Sequence, residues 1–455
     1  MLNQLHDLWK LIILASITIP ICAQWNEVSV PEGSIKLNEI SILDDGLAFI
    51  ALGGAQNGVT EGGVLKTLNY GESWQLIASP ASDFRKSMVT VSFKNELTGF
   101  VGGSVELFLR TMNGGASWTY DAFDTPESIR RVRWLNDTTV VVMDKAGTLC
   151  FSSDLGESWD IDTTLAAAVS NFHQRANTMA FEIIDEYNWI AAGKKGALLK
   201  TSNGGQSWSN LYHLAGTPVF QDIDALDVNN WIVVGTSGSA LMTQDGGDHF
   251  TELNLDPNYT AKFQAVSYAD SDNIMIGGIT VSSTGYGVIK STADGGMTWE
   301  DENFGGSDIY GFAIRDLHMY EPGLAIAIGD ANPGGKVYLL GEHIYYGDVN
   351  ADSLLNVLDL QRLMEIVTFA GDAANEDELR IIDMNRDFSY DVLDAVLLIE
   401  AIMAFNESTD STSRSIGSVG RSDSDLNSDD GISLDQTKGH RLKRIFANHM
   451  RKTRL

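Results

Sequence analysis

A chain of 455 residues is long enough for more than one domain, and a hydrophobic content of 44% gives it enough apolar surface to bury a core. A formal net charge of -30 argues against nucleic acid as a partner and suits a soluble extracellular protein or a calcium binder. Only two cysteines are present, which excludes a disulfide framework.

The N-terminal segment reads "MLNQLHDLWKLIILASITIPICAQW". Lys10 precedes an apolar run, Leu11 to Cys22, that is too short to cross a bilayer, and Ala23 supplies a small residue for cleavage. These features predict a signal peptide over 1–23, a secreted, extracellular or cell-surface location, and no transmembrane span. With Cys22 removed, Cys150 alone remains, so packing or metal must hold the mature fold.

From Trp25 the chain becomes periodic. Six motifs of the form [Ser/Thr]-x-[Asp/Asn]-x-Gly-x-[polar]-[Trp/Phe] end at Trp74, Trp118, Trp159, Trp208, Phe250 and Trp299, in steps of 44, 41, 49, 42 and 49 residues. A short apolar strand precedes each, as in "GGVLKT" and "GALLKTS", and "GGKVYLL" is a seventh without the motif. One strand further upstream there are again seven, among them "GLAFIALGG", "NWIVVG" and "GLAIAIGD", each behind a turn cluster such as "DVNN" at 227–230. A period near 45 with four short strands per unit predicts an all-β seven-bladed β-propeller over 24–341. Asn203 and its equivalents would close a side-chain turn, Gly205 would take the left-handed conformation, and Trp208 would wedge between blades, so the motif is scaffold. The seventh unit lacks the motif, while "WNEVSV" at Trp25 reads as an outer strand; it is expected to complete the last blade and remove an exposed edge.

These motifs resemble the Asp-box, or BNR, repeat of sialidases, oligoxyloglucan-specific glycosidases, sortilin-type receptors and photosystem II assembly-factor propellers, and look most like the last group. The resemblance implies the fold and leaves function open, since the members differ in activity. Blade topology would gather Arg85, Lys86, Arg130, Arg131, His173, Arg175, Lys194 and Lys195 on the face of the 2–3 and inter-blade loops. Of these, Arg85, Lys86, Arg131, Arg175, Lys194 and Lys195 are the candidates for binding a glycan or another anionic ligand; the alternative is a solvated rim.

After Gly347 the pattern changes. "DVNADSLLNVLD" and "DMNRDFSYDVLD" place oxygen ligands at loop positions 1, 3, 5, 9 and 12: Asp348, Asn350, Asp352, Asn356 and Asp359, then Asp383, Asn385, Asp387, Asp391 and Asp394. The backbone carbonyl at position 7, Leu354 or Ser389, would complete each shell, and the pair predicts two bound calcium ions. Each loop runs into a helical sequence, "LQRLMEIV" or "AVLLIEAIM". Position 6, where such loops prefer Gly, holds Ser353 and Phe388. The pair looks like a type I dockerin, a small all-α calcium-binding module with paired EF-hand-like loop-helix units, here over 342–404. That resemblance implies a cohesin-type partner on a scaffold, contacted through Val357, Leu358, Val392 and Leu393; the same four residues could equally form the module's own small core. Residues 405–455 are a Ser- and Asp-rich linker ending in a basic tail.

No catalytic constellation stands out. No histidines fall at metal-ligand spacing, and Cys150 lies in a repeat strand, "GTLCFSS". The sequence therefore predicts a non-catalytic recognition propeller attached to an extracellular assembly by a dockerin. The alternative is a dockerin-bearing glycoside hydrolase of polysaccharide degradation, which would need two carboxylates facing each other across a cleft.

Overall fold

The computed structural model describes residues 25–341, apart from 32–35, 44–45, 54, 57–58, 61, 79–86, 105–106, 121–126, 173–176, 212–217, 257–260, 282–284, 303–311 and 332–333, together with 361–363 and Leu398. The leader, both acidic loops, Val357, Leu358, Val392, Leu393 and the tail lie outside the described residues, as do Arg85, Lys86, His173 and Arg175.

Seven four-stranded antiparallel sheets follow one another along the chain, the blades of a seven-bladed β-propeller. Their first strands are Leu37–Ile42, Met88–Phe93, Ile129–Trp134, Thr178–Ile183, Phe220–Ala225, Ala261–Tyr268 and Ala313–Glu321. Blade 7 is completed from the other end of the chain: Trp25–Val28 pairs antiparallel with Gly334–Leu340, in a register that sets Trp25 opposite Leu340. Trp25 is 3% exposed and packs with Tyr338 and Leu340 of its own blade and with Ala265, Met275 and Ile289 of blade 6. The expected closing strand is therefore present.

The chain forms two compact units. One contains blades 2 to 7. The other takes in Ser41–Phe49 and Lys66–Gln75, where the Tyr70 N–H donates to Gly46 O at 2.9 Å and Lys66 Nζ lies 5.5 Å from the Phe49 ring centre.

Second strands such as Val140–Asp144 and Trp231–Gly235 are buried throughout, as continuous apolar runs require. First strands differ, because one edge of each is left without a neighbour in its own sheet. In six blades the register shifts one residue into this strand, so that Val89, Arg130, Met179, Gln221, Gln264 and Arg315 are extra residues. The strand bends there toward the end of its neighbour. At Gly193 any Cβ would overlap the Asn177 carbonyl oxygen, which is why glycine ends this second strand.

Beyond the shift, side chains from successive first strands stand at one level: Glu39, Thr90, Arg131, Ala180, Asp222, Ala265 and Asp316. Several reach to the next blade and accept the edge N–H found there. Glu39 Oε2 takes Val91 N–H at 3.1 Å, Asp222 Oδ2 takes Val266 N–H at 3.1 Å, and Asp316 Oδ2 takes Ile40 N–H at 2.9 Å, the last joining blade 7 to blade 1. One level on, Asp224 Oδ2 takes Tyr268 N–H at 2.7 Å and Ser267 Oγ takes Met319 N–H at 3.0 Å. The inner edges of blades 1, 2, 6 and 7 are thus met by carboxylates and a hydroxyl from the preceding blade.

One helix, Thr164–Phe172, follows blade 3 and was not expected from the repeat pattern. Its Ala-rich run favours the helix, and Leu165 and Val169 are buried between blades 3 and 4.

Candidate functional site

The six repeated motifs form one hydrogen-bonded unit, repeated. In the fourth blade, Thr201 Oγ1 donates to Asn203 Oδ1 at 2.8 Å, Gly205 N–H donates to Thr201 Oγ1 at 3.0 Å, and Ser207 N–H donates to Asn203 Oδ1 at 3.0 Å. The same three bonds occur from Thr67, Thr111, Ser152, Thr243 and Thr292. Gly205 has φ 85°, as the turn requires. Where the acceptor is Asp, donors hold its carboxyl at about 2: Ser158 for Asp154, His249 for Asp245 and Thr298 for Asp294. Trp159, Trp208, Phe250 and Trp299, which end four of the motifs, pack in clusters that join two blades. Trp159 lies 5.4 Å from the Phe108 ring and 6.0 Å from Phe100, both in blade 2, while Phe250 makes an edge contact with Trp231 of its own blade at 5.4 Å and also packs against blade 4. The polar groups are thus taken up within each turn, and the aromatic rings by packing.

The acidic turn clusters are similarly occupied. Asp227 Oδ1 accepts N–H bonds from Asn229 at 2.7 Å and Asn230 at 2.9 Å, and Asp185 and Asp270 do the same in their own blades.

The first strands place a second group of charges around the propeller axis. Arg131 Nε lies 3.5 Å from Glu39 Oε1 and its NH2 3.3 Å from Asp222 Oδ1, so that it links blades 1, 3 and 5. Arg133 pairs with Glu39 at 3.1 Å and Glu182 at 3.0 Å. Burial pushes Asp222 up to about 6 against the pull of Arg131, and burial with the neighbouring Glu182 pushes Asp224 up to about 7. Burial beside Asp222 and Glu39 raises Asp316 well above the carboxylate range. Arg131 is therefore not a loop residue awaiting a ligand, as the sequence suggested. The register shift at Arg130 turns Arg131 toward the axis, where two carboxylates hold it.

On the loop face, Lys194 and Lys195 are exposed at the 2–3 connection of blade 4, with Lys194 N–H donating to Asn177 O at 2.8 Å. Arg130 is half-buried, and burial together with Arg131 lowers its pKa. Blades 1, 6 and 7 add a cluster that the sequence did not reveal. Arg315 NH2 donates to Asp330 Oδ2 at 2.9 Å while its Nε donates to the other oxygen, and Lys36 Nζ lies 3.9 Å from the same Oδ2. Lys262 is half-buried beside all three; burial and then Arg315 lower its pKa. Arg315 and Asp330 share blade 7, but Lys36 and Lys262 come from other blades, and Lys36 from far earlier in the chain, so only the ring topology brings the four together.

Among the described residues no group of three His, Cys, Asp or Glu is placed to hold a metal ion, and no helix is long and apolar enough to cross a membrane. Cys150 is a free, buried thiol that burial pushes up to about 12.

No family model and no curated protein matches the chain. Solved structures do. A structure described as YCF48 bound to D1 peptide superposes with a TM-score of 0.55 at 13% identity, covering 70% of this chain and 96% of that one. YCF48 from Cyanidioschyzon merolae gives 0.55 at 17%, covering 70% and 99%. A GH74 xyloglucanase from Xanthomonas campestris gives 0.54 at 12%, covering 69% of this chain and 53% of that one. At such identities the likeness is one of fold: a β-propeller.

Proposed function

We propose that this protein is a secreted recognition propeller that binds an anionic partner on its loop face rather than cleaving one, and that a calcium-dependent dockerin at 342–404 attaches it to a cohesin on an extracellular assembly. The observation that carries the reading is the occupation of the axial carboxylates. Glu39, Asp222, Asp224 and Asp316 each accept the N–H of a neighbouring blade, and Glu39 and Asp222 also hold Arg131. A general acid and a nucleophile with those commitments are not available to a sugar. Basic side chains are the scarcer sign in this chain, 31 against 61 acids, and Lys194 and Lys195 present theirs to solvent. A propeller of similar fold is described as bound to a peptide, which fits a binding role for this architecture.

The decisive experiment exposes the full chain to acidic peptides and to charged and neutral polysaccharides, following both binding and reducing-sugar release. Binding that weakens with salt, and weakens further when Arg85, Lys194 and Lys195 are replaced together by Ser, supports the reading. The second reading, a glycoside hydrolase, is favoured by the likeness of fold to a GH74 xyloglucanase. Sustained sugar release abolished by one Asp or Glu substitution would establish it instead.

A further inference from the structure

We propose that Lys36, Lys262 and Arg315, with Asp330, form a phosphate site on the loop face, where residues of blades 1, 6 and 7 come together. The inference rests on the reading that this face binds an anionic partner, and names a group that seats there. Arg315 and Lys36 both lie on the Asp330 carboxylate, and Lys262 is close enough to feel the charge of all three, so among the described residues of the cluster two positive charges are left over, in a chain of net charge -30. The arrangement is partly withdrawn from water, with Arg315 27% and Asp330 25% exposed. Crowding cations at a half-buried position is unfavourable unless an anion completes it, and such arrangements mark binding sites.

Each residue has a distinct part. Arg315 is the extra residue at the register shift of its strand, so its side chain is redirected out of the alternation. Asp330 occupies its fork and fixes the guanidinium in place. Lys36 and Lys262 are then the mobile point charges. Lys36 only grazes Asp330 at 3.9 Å, and Lys262 makes no ion pair among the described residues. Lysine ammonium groups on flexible stems suit a compact oxyanion. The surplus of two charges matches a phosphate dianion better than a carboxylate, which would leave one charge unanswered. The chemistry is the same for free phosphate and for a phosphate monoester.

Calorimetric titration of the full chain at low ionic strength with inorganic phosphate, glucose 6-phosphate and acetate tests the assignment. One saturable site for the phosphates, and weaker or no binding of acetate, is the expected result. Binding of the ester but not the free ion would identify the monoester as the source. Lys262→Met and Lys36→Met should each weaken phosphate by about tenfold, the size expected for losing a charge-assisted contact. Lys262→Arg should restore most of it, and Lys145→Met, whose ammonium pairs with Glu127 at 3.5 Å in blade 3, should change nothing. Absence of saturable phosphate binding, or unchanged affinity in both Met variants, overturns the proposal. If an acidic polymer still binds in a salt-dependent way under those outcomes, the phosphate site alone has failed; if it does not, the anion-binding reading has failed as well.

Discussion

Asp224 and Asp154 respond to pH in opposite directions. Burial raises Asp224 from 3.8 to about 7, with Glu182 next in effect, so between about pH 4 and 7 the folded protein keeps a proton that the unfolded chain has released. Its contribution is therefore complete below the unfolded value and is lost as pH rises toward 7; Asp222, raised to about 6, behaves likewise. Asp154, Asp245 and Asp294, held at about 2, contribute above the unfolded value and lose that contribution as pH falls toward 2. Asp224→Asn keeps an oxygen for Tyr268 N–H and cannot ionise. Its melting temperature should fall less between pH 4 and 7 than that of the native chain, and parallel curves would refute this account. Arg131→Met should lower stability by about 3 kcal/mol in chemical denaturation, because Glu39 and Asp222 lose their shared counter-ion. An unchanged denaturation midpoint would mean that Arg131 is not that counter-ion. The identity of Arg131 as a basic residue was legible in the sequence, but its direction was not. A one-residue register shift reverses which side chains face the axis, and nothing in "IRRVRW" marks the shift.

Strands and turns divide into those a sequence announces and those it hides. Second strands such as Val140–Asp144 and Trp231–Gly235 were legible because they are buried on both faces and read as apolar runs, and the turns because their bonds come from residues within four positions. First strands such as "FQDIDA" carry carboxylates that serve the neighbouring blade, so their polar pattern resembles a loop. The helix Thr164–Phe172 falls in an interval the repeat left blank, and its short Ala-rich run was overshadowed by the surrounding period. Thr201→Val should test the turn at this scale. It removes the hydroxyl that both accepts Gly205 N–H and donates to Asn203, and should cost about 1 kcal/mol in denaturant unfolding. Gly205→Ala should cost more, since φ 85° is strained for alanine and the new Cβ would meet Trp189 at 2.8 Å. Equal stability in both variants would mean that the turn is a passive connection.

For the whole molecule, closure is the organising event. Deleting Trp25–Val28 uncovers the edge of Gly334–Leu340 and empties the Trp25 pocket between blades 6 and 7, and should lower the melting temperature by several degrees. An unchanged transition would show that blade 7 is complete without it. Closure was legible from counting seven strand pairs against six motifs, whereas the calcium sites proposed at 348–359 and 383–394 rest on ligand spacing alone. Calcium should stabilise the full chain by about 2.7 kcal/mol at a hundredfold excess over its dissociation constant. Asp348→Ala with Asp383→Ala should abolish that gain in calorimetry, and equal gains in both proteins would remove the calcium assignment. The closing strand also imposes an order in time. The bond from Lys336 to Glu27 spans 309 residues, so the first propeller strand to be synthesised is the last to find its partner. Until nearly the whole propeller has been synthesised, Trp25–Val28 has no partner strand, and a contact this distant in sequence carries a large loop-closure cost. A nascent chain held extended during export would suffer little from that delay, while one folding blade by blade would carry an open edge for most of its synthesis.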